Sequence, residues 1–263
     1  MHFTKYNGLG NDFIFLDGPV AQGVQDPAAL ARRLCNRRTG IGADGLILLL
    51  PSDQATVRMR ILNSDGSEAE MCGNASRCVP LHLLRSGQTR QTQITLETLA
   101  GLIRTEIVDE ARGWVRVNMG APRDVVVPFA VKTPSRTFEG TKVSMGNPHF
   151  VIFVEDAENF PVAELGPLLE THPAFPHRTN VEFVQVLDRR TVRMRVWERG
   201  AGITQACGTG ACATAAACVL NGVTEPELTV RLDGGELQIS WPQRKDIWMT
   251  GPAQRVFEGE ILL

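Results

Sequence analysis

Two cysteines stand in settings where a sulfur can do acid–base work. Cys72 lies in MCGNASRC (Met71 to Cys78) and Cys207 in QACGTGACATAAAC (Gln205 to Cys218), each directly before a glycine. The residues that follow, 73–84 and 208–220, read as helices, the second on its run of alanines. The first backbone N–H groups of a helix have no internal partner, and the aligned peptide dipoles make that end partly positive. A cysteine placed there has its thiolate favoured, so its pKa can fall from about 8.5 towards neutrality. Gly73, Gly208 and Gly210 allow close approach of the backbone to a bound anion. Each segment thus offers an activatable sulfur beside an anion cradle. If one carboxylate rests on both cradles, a thiolate removes a proton from one face of the adjacent carbon and the opposite thiol delivers one to the other. That is two-base stereoinversion, with the carbanion stabilised by oriented N–H donors and no cofactor. Cys35, Cys78, Cys212 and Cys218 read as buried core thiols.

The elements that must position these cysteines are written twice. Val57-Arg-Met-Arg60 recurs as Val192-Arg-Met-Arg195, and Cys72-Gly73 as Cys207-Gly208, both 135 residues on (192 less 57; 207 less 72). Gly10-Asn11, with the apolar run from Phe13 to Leu16 behind it, recurs 136 residues on (147 less 11) as Gly146-Asn147 before Phe150 to Val154. Arg38-Thr39 and Arg178-Thr179 precede the apolar runs Leu46 to Leu50 and Val181 to Val186. A period this long implies two similar globular halves. TVRMRIL and TVRMRVW alternate apolar and basic residues as half-buried strands do, and 101–108, 114–119, 228–232 and 236–240 look similar. Asp26 and Pro27 mark a helix over Pro27 to Cys35. Pro80 falls too deep in the first cysteine helix to be harmless, which predicts a kink or a shortened first segment. Linker composition appears at Gly120-Ala-Pro-Arg and Lys132-Thr-Pro-Ser. The expected architecture is α/β of the α+β type, with two pseudo-symmetric halves, 1–118 and 119–253. A C-terminal strand around 254–263 is a candidate to return to the first half.

Composition narrows the function. The 263 residues are 43% hydrophobic and 21% charged, and the net charge is −2, with a pI near 6.2. No global basic field draws in nucleic acid or an anionic membrane, and no apolar run approaches the roughly 20 residues that span a bilayer. The start, MHFTKYNGLGNDF, lacks a signal-peptide layout, so the expected location is the cytoplasm. Six cysteines are too sparse for a disulfide framework, and their spacings, with no CxxC or HxxxH pair, do not suit a structural metal. CGTGA lacks the lysine–serine pair of a phosphate loop, and Gly8-Leu-Gly10 does not continue as GxGxxG.

The chain closely resembles the diaminopimelate epimerase family, pyridoxal-independent enzymes that interconvert LL- and meso-diaminopimelate for lysine and peptidoglycan synthesis. The resemblance rests on NGLGNDF (Asn7 to Phe13), GADG (Gly42 to Gly45), NSDGSEAEMCGN (Asn63 to Asn74), NMG (Asn118 to Gly120), MGNPHF (Met145 to Phe150), RTN (Arg178 to Asn180) and WERGAGITQACGTGA (Trp197 to Ala211). It implies that Cys72 and Cys207 are the acid–base pair, and that Gly73, Asn74, Gly208 and Thr209 hold the reacting carboxylate through backbone N–H groups. It further implies that Asn11, Asn63, Asn147, Asn180, Glu198 and Arg199 grip the ammonium groups and the distal carboxylate, with His149 and Glu198 near the α-amino group. Strands wrapped around a central helix in each half, an active site in the cleft between the halves, no cofactor or metal, an amino-acid substrate and a homodimer are also implied. Asparagine, both donor and acceptor, suits a zwitterion, and an arginine holds a carboxylate bidentately. Read without the resemblance, Asn11, Asn63 and Asn180 sit at turn or strand-end positions where asparagine bonds locally. His149 alone reads as a packed histidine, and Glu198-Arg199 as a solvated strand end. A racemase for another polar amino acid such as histidine, or a thiol redox sensor that binds amino acids, are the alternative readings. Two departures stand out: Ala75 replaces the last glycine of the usual Cys-Gly-Asn-Gly, and Gly45 stands where some members carry a polar side chain that reaches the substrate.

Overall fold

The computed structural model describes residues 1–134 and 136–262. The chain divides into two compact units, Met1–Val117 with Gly251–Leu263, and Asn118–Thr250.

The first unit runs β1 (His2–Gly8), β2 (Asn11–Leu16), α1 (Gly18–Gln22), α2 (Pro27–Cys35), β3 (Gly45–Leu50), β4 (Val57–Asn63), β5 (Glu68–Ala69), α3 (Gly73–Arg85), β6 (Gln93–Thr98), β7 (Gly101–Asp109) and β8 (Trp114–Gly120). The second runs β9 (Arg123–Lys132), β10 (Thr137–Ser144), β11 (Pro148–Phe153), α4 (Val162–Glu170), β12 (Asn180–Asp188), β13 (Thr191–Glu198), β14 (Gly202–Ile203), α5 (Gly208–Leu220), β15 (Glu227–Leu232), β16 (Gly235–Ser240) and β17 (Ile247–Pro252). The last strand, β18 (Gln254–Glu260), pairs antiparallel with β1, as β9 pairs with β10.

The sequence repeat is a repeat of strand pairing. In the first unit β2 and β3 are parallel, with Phe13 opposite Gly45, and β3 and β4 antiparallel, with Ile47 opposite Ile61. In the second, β11 and β12 are parallel, with His149 opposite Asn180, and β12 and β13 antiparallel, with Glu182 opposite Val196. The arginine-alternating strands β4 and β13 bury one face, and each then pairs parallel with the strand that follows the cysteine helix, β6 or β15. The fold is therefore mixed α+β and made of two like units.

Helix α2 spans the predicted residues. The Asp26 side chain accepts from Ala29 N at 2.9 Å, Pro27 occupies the first turn, and Ala31, Leu34 and Cys35 face a core with Ile14, Leu16, Leu46 and Leu48. Its counterpart α4 buries Val162, Leu165 and Leu169 against Phe150 and Phe183. The central helices α3 and α5 are enclosed almost all round: of 13 residues each, 11 and 10 are buried. Among the described residues no helix is long and apolar enough to cross a membrane.

Two local expectations are corrected. Helix α3 runs as one segment from Gly73 to Arg85 through Pro80, so the shortened first segment is not found. An interior proline costs about 3 kcal/mol, but the burial of Val79, Leu81 and Leu83 along the same helix outweighs it. The two stretches read as linker flank a ten-residue strand, β9; Ser135, in the second of them, lies outside the described residues.

Ala75 sits inside α3, fully buried. A helical alanine is favoured over glycine by about 1 kcal/mol, so restoring the family's glycine is unfavourable here. Ala75→Gly is expected to lower unfolding free energy by about 1–2 kcal/mol in urea melts, the lost buried methyl adding to the propensity term.

Candidate active site

In the first unit Cys72 opens α3. Its backbone is extended (φ −140°, ψ 115°), and its carbonyl accepts from Ser76 N at 2.9 Å, which closes the first turn. The half-buried Sγ donates to Asn11 Oδ1 at 3.7 Å, and Asn74 Nδ2 donates to the same oxygen at 3.2 Å. Asn11 is held in turn: its Nδ2 donates to Asp44 Oδ2 at 2.8 Å, and that oxygen also takes Asp12 N at 3.0 Å. Arg37 bridges Asp12 and Asp44 at 2.6 and 2.8 Å, and the buried Lys5 Nζ lies 2.7 Å from Asp12 and also donates to Gly42 O. Asn63, the last residue of β4, is exposed; its Nδ2 donates to Ser67 Oγ at 2.9 Å, and the next residue, Ser64, donates its N–H to Asp44 O at 3.0 Å.

In the second unit Cys207 opens α5 in the same way (φ −120°, ψ 106°), with Ala211 N on its carbonyl at 2.9 Å. Here the sulfur itself accepts from the helix: Gly210 N donates to Sγ at 3.3 Å, and Thr209 Oγ1 lies 3.6 Å away. Asn147 Nδ2 donates to Thr209 Oγ1 at 3.3 Å. His149, with no exposed surface, places Nε2 3.0 Å from Asn147 Oδ1 and Nδ1 2.7 Å from Glu182 Oε1. Glu198 ends β13, accepts from Thr204 Oγ1 and is hydrogen-bonded by the Cys207 side chain. Asn180 engages the backbone at both ends of its amide, donating to Pro148 O at 2.8 Å and accepting from Arg199 N at 3.0 Å. The exposed Arg199 guanidinium donates to His177 O at 3.1 Å.

The structure thus gathers Asn11, Cys72, Gly73 and Asn74 in one unit, and Asn147, His149, Glu198, Cys207, Gly208 and Thr209 in the other. Each set has the same plan: a cysteine at a helix start, an asparagine at or just before the start of β2 or β11, and a hydrogen bond between that asparagine and the side chain two residues beyond the cysteine.

The sequence profile of the family described as diaminopimelate epimerase matches residues 3–125 and 141–256. The chain belongs to the diaminopimelate epimerase family. It is 53% identical to the diaminopimelate epimerase of Desulforudis audaxviator, with 99% of each chain covered, and 50% identical to that of Moorella thermoacetica, with 100% of each covered. Among solved structures it is similar to a probable proline racemase from Agrobacterium radiobacter (TM-score 0.75, 20% identity, covering 100% of this chain and 93% of that one). It is also similar to a predicted epimerase from Pseudomonas aeruginosa (TM-score 0.76, 17% identity, covering 100% and 99%). At these identities the structures show a shared fold. By its family the chain is an isomerase.

Within this family frame, the electrostatics of Cys207 differ from the expectation drawn from its helix position. Burial pushes the thiol well above its ordinary range, and the nearby Glu198 and Glu182 push it further; the hydrogen bonds from Thr209 and Gly210 oppose them and are outweighed. Cys207 therefore rests as a thiol. Glu198 and Glu182 are themselves raised, in each case chiefly by burial. The other departure from the family, Gly45, has a structural account. A Cβ there would lie 2.9 Å from Leu62 O, because Gly45 pairs with Asn63 across β3 and β4, so a larger residue needs the strands to shift.

Sequence reading missed Asp44, which orients Asn11, Asp12, which exchanges hydrogen bonds with Asp44, and Glu182, which holds His149. The first two lie inside motifs quoted for other residues. The signal for Glu182 was present: a carboxylate in the otherwise apolar run Asn180-Val-Glu-Phe-Val-Gln-Val.

Burial raises the Asp12 carboxyl, but hydrogen bonds from Arg37 and Lys5 outweigh it and bring the pKa down to about 2. Since the folded value lies below the unfolded one, this contribution to stability is complete above about pH 4 and is lost as pH falls towards 2. Asp12→Asn also leaves the buried Lys5 ammonium without its carboxylate. It is expected to cost about 3 kcal/mol at neutral pH and to flatten the acid-side loss, as read from urea melts of both proteins across that range.

Proposed function

We propose that this chain interconverts LL- and meso-diaminopimelate by proton transfer at one Cα between Cys72 and Cys207, without pyridoxal. The observation that carries the reading is the pair of sulfurs, each capping a buried 13-residue helix and each beside an asparagine in an equivalent place. The α-carboxylate rests on the backbone N–H groups of Gly73, Asn74, Gly208 and Thr209, where both helix starts favour negative charge. One sulfur, as thiolate, takes the Cα hydrogen and becomes a thiol. Charge passes into the carboxylate, where the N–H donors stabilise it. The opposite thiol then gives its proton to the other face of the carbon and becomes the thiolate, ready for the reverse reaction. Glu198, which shares a hydrogen bond with Cys207, receives the α-ammonium group, with His149 lining that side. Asn11, Asn63, Asn147, Asn180 and Arg199 hold the remaining polar groups of the two amino-acid ends, Asn180 also fixing the strand end that carries Glu198 and Arg199.

The enzyme is proposed to act in the cytoplasm as a homodimer. Six free cysteines suit a reducing compartment, and the exposed Val256 and Phe257 of β18 offer an apolar edge for a second copy to cover. Sedimentation at micromolar concentration tests the dimer, and a monomer there removes it.

Incubation with LL-diaminopimelate in D2O is expected to place deuterium at Cα and to give the meso isomer. Cys72→Ala and Cys207→Ala are each expected to lower inversion by about 10³-fold or more. Absence of exchange with either isomer, alongside exchange of another amino acid in a chirally resolved panel, would move the substrate assignment elsewhere.

A further inference from the structure

The two units share one pairing register, so residues can be compared place by place. Phe13 lies opposite Gly45 as His149 lies opposite Asn180, and Phe15 lies opposite Ile47 as Val151 lies opposite Glu182. On the helices Ala75 corresponds to Gly210, each three residues beyond its cysteine. Where the first unit has Phe13, Ile47 and Ala75, the second has His149, Glu182 and Gly210, all buried. The three changes fit together. A Cβ on Gly210 would lie 2.8 Å from Glu182 Oε1 and 3.1 Å from the Cys207 sulfur, so the carboxyl occupies the space that an alanine methyl takes in the first unit.

The consequence reaches the sulfur through a directed chain. In the first unit Asp44 takes the NH2 of Asn11, which turns the amide oxygen to accept from Cys72. In the second the amide is reversed. Asn147 Oδ1 faces His149 Nε2, and its NH2 donates to Thr209 Oγ1, leaving the threonine hydroxyl hydrogen for Cys207 Sγ at 3.6 Å. Asn147 Oδ1 is an acceptor, so Nε2 must carry the hydrogen. This requires Nδ1 either to accept from a protonated Glu182 or to share an ion pair with its carboxylate, one proton lying between them in both cases. Burial pushes the Glu182 carboxyl up, and its second oxygen accepts no hydrogen bond among the described residues, so the pair retains that proton.

We propose that Glu182 is a positioning residue: it fixes the Nε2–H form of His149, and through it turns the Asn147 amide to donate to Thr209 and frees the Thr209 hydroxyl to donate to the Cys207 sulfur, an amide direction opposite to that of Asn11 in the first unit. In the first unit the Asn11 amide oxygen accepts from the Cys72 sulfur. The Cys207 side presents donors that receive a thiolate as it forms, against the opposing charges of Glu198 and Glu182. The inference rests on the proposed acid–base reading only for its effect on rate; the histidine state stands independently.

Two measurements test it. In the unmodified full chain, ¹⁵N-histidine NMR, with the His149 signals assigned by their loss in His149→Gln, is expected to show the proton on Nε2 at neutral pH. A bare Nε2 with hydrogen on Nδ1 overturns the proposal whatever the substrate proves to be. In kinetics, Glu182→Leu, which packs but offers no hydrogen bond, is expected to lower kcat for Cα exchange about 10–100-fold with KM within about threefold. Glu182→Gln, whose amide can donate to Nδ1 and keep the Nε2–H form, is expected to recover most of that loss. A Leu variant with native kcat, or a Gln variant as impaired as the Leu one, overturns it, since a purely packing role predicts no such division.

Discussion

The arrangement depends on one local constraint: a cysteine that caps a helix must be extended while its carbonyl already serves the helix. At Cys72 and Cys207 the carbonyl accepts the first helical N–H at 2.9 Å, and at Cys207 the sulfur also accepts Gly210 N at 3.3 Å. The sulfur's position is therefore set by the helix. The helix in turn is set by the strands around it, since 11 and 10 of its 13 residues are buried. Helices this enclosed cannot slide or rotate without opening voids or overpacking. That explains how Pro80 is tolerated and why α5 from Gly208 to Cys218 is made of Ala, Gly, Thr and Cys, side chains small enough for strands to approach closely. A reactive group attached to the start of such an element is placed with little freedom, which is what proton transfer to carbon needs.

Duplication supplied two such positions, and divergence made them unlike. Strand pairing has stayed in register from β2–β3 to β11–β12, so the exchange of Phe13, Ile47 and Ala75 for His149, Glu182 and Gly210 occurs within one backbone frame. A fully buried His–Glu pair is an expensive replacement for two apolar side chains, because desolvation of the charged forms opposes it. Its retention beside the helix start is intelligible if the hydrogen-bond direction it sets is of use, and that direction is the reverse of the one Asp44 imposes on Asn11.

Much of this was readable in the sequence because the signals were periodic or repeated. The Val-Arg-Met-Arg copies located β4 and β13, Asp26-Pro27 located the start of α2, and the alanine run fixed α5 at its observed bounds. The shortened segment expected at Pro80 is absent because local propensity is weak against tertiary burial. The ionisation of Cys207 was misread for a related reason. The helix end is a local feature that sequence displays, whereas desolvation and the approach of Glu198 and Glu182 come from strands β13 and β12, brought close only by folding. Partners such as Asp44 for Asn11, 33 residues away, are likewise set by pairing register and not by spacing.

The protonation of Cys207 then has a coherent place in the proposed chemistry. A buried thiolate with two carboxyl groups nearby is disfavoured at rest, so this half-site holds its proton while the site is empty and is spared the reactivity of a free thiolate. An amino-acid substrate brings an ammonium group. Set against Glu198, that charge cancels one of the two carboxyl influences holding the thiol pKa up, and the donors on the sulfur, Gly210 N–H and the Thr209 hydroxyl, are already aimed. On this argument substrate binding itself lowers the cost of making the Cys207 thiolate. The base then becomes available only when there is a carbon acid for it to act on, an economy that neither the helix dipole nor burial provides alone.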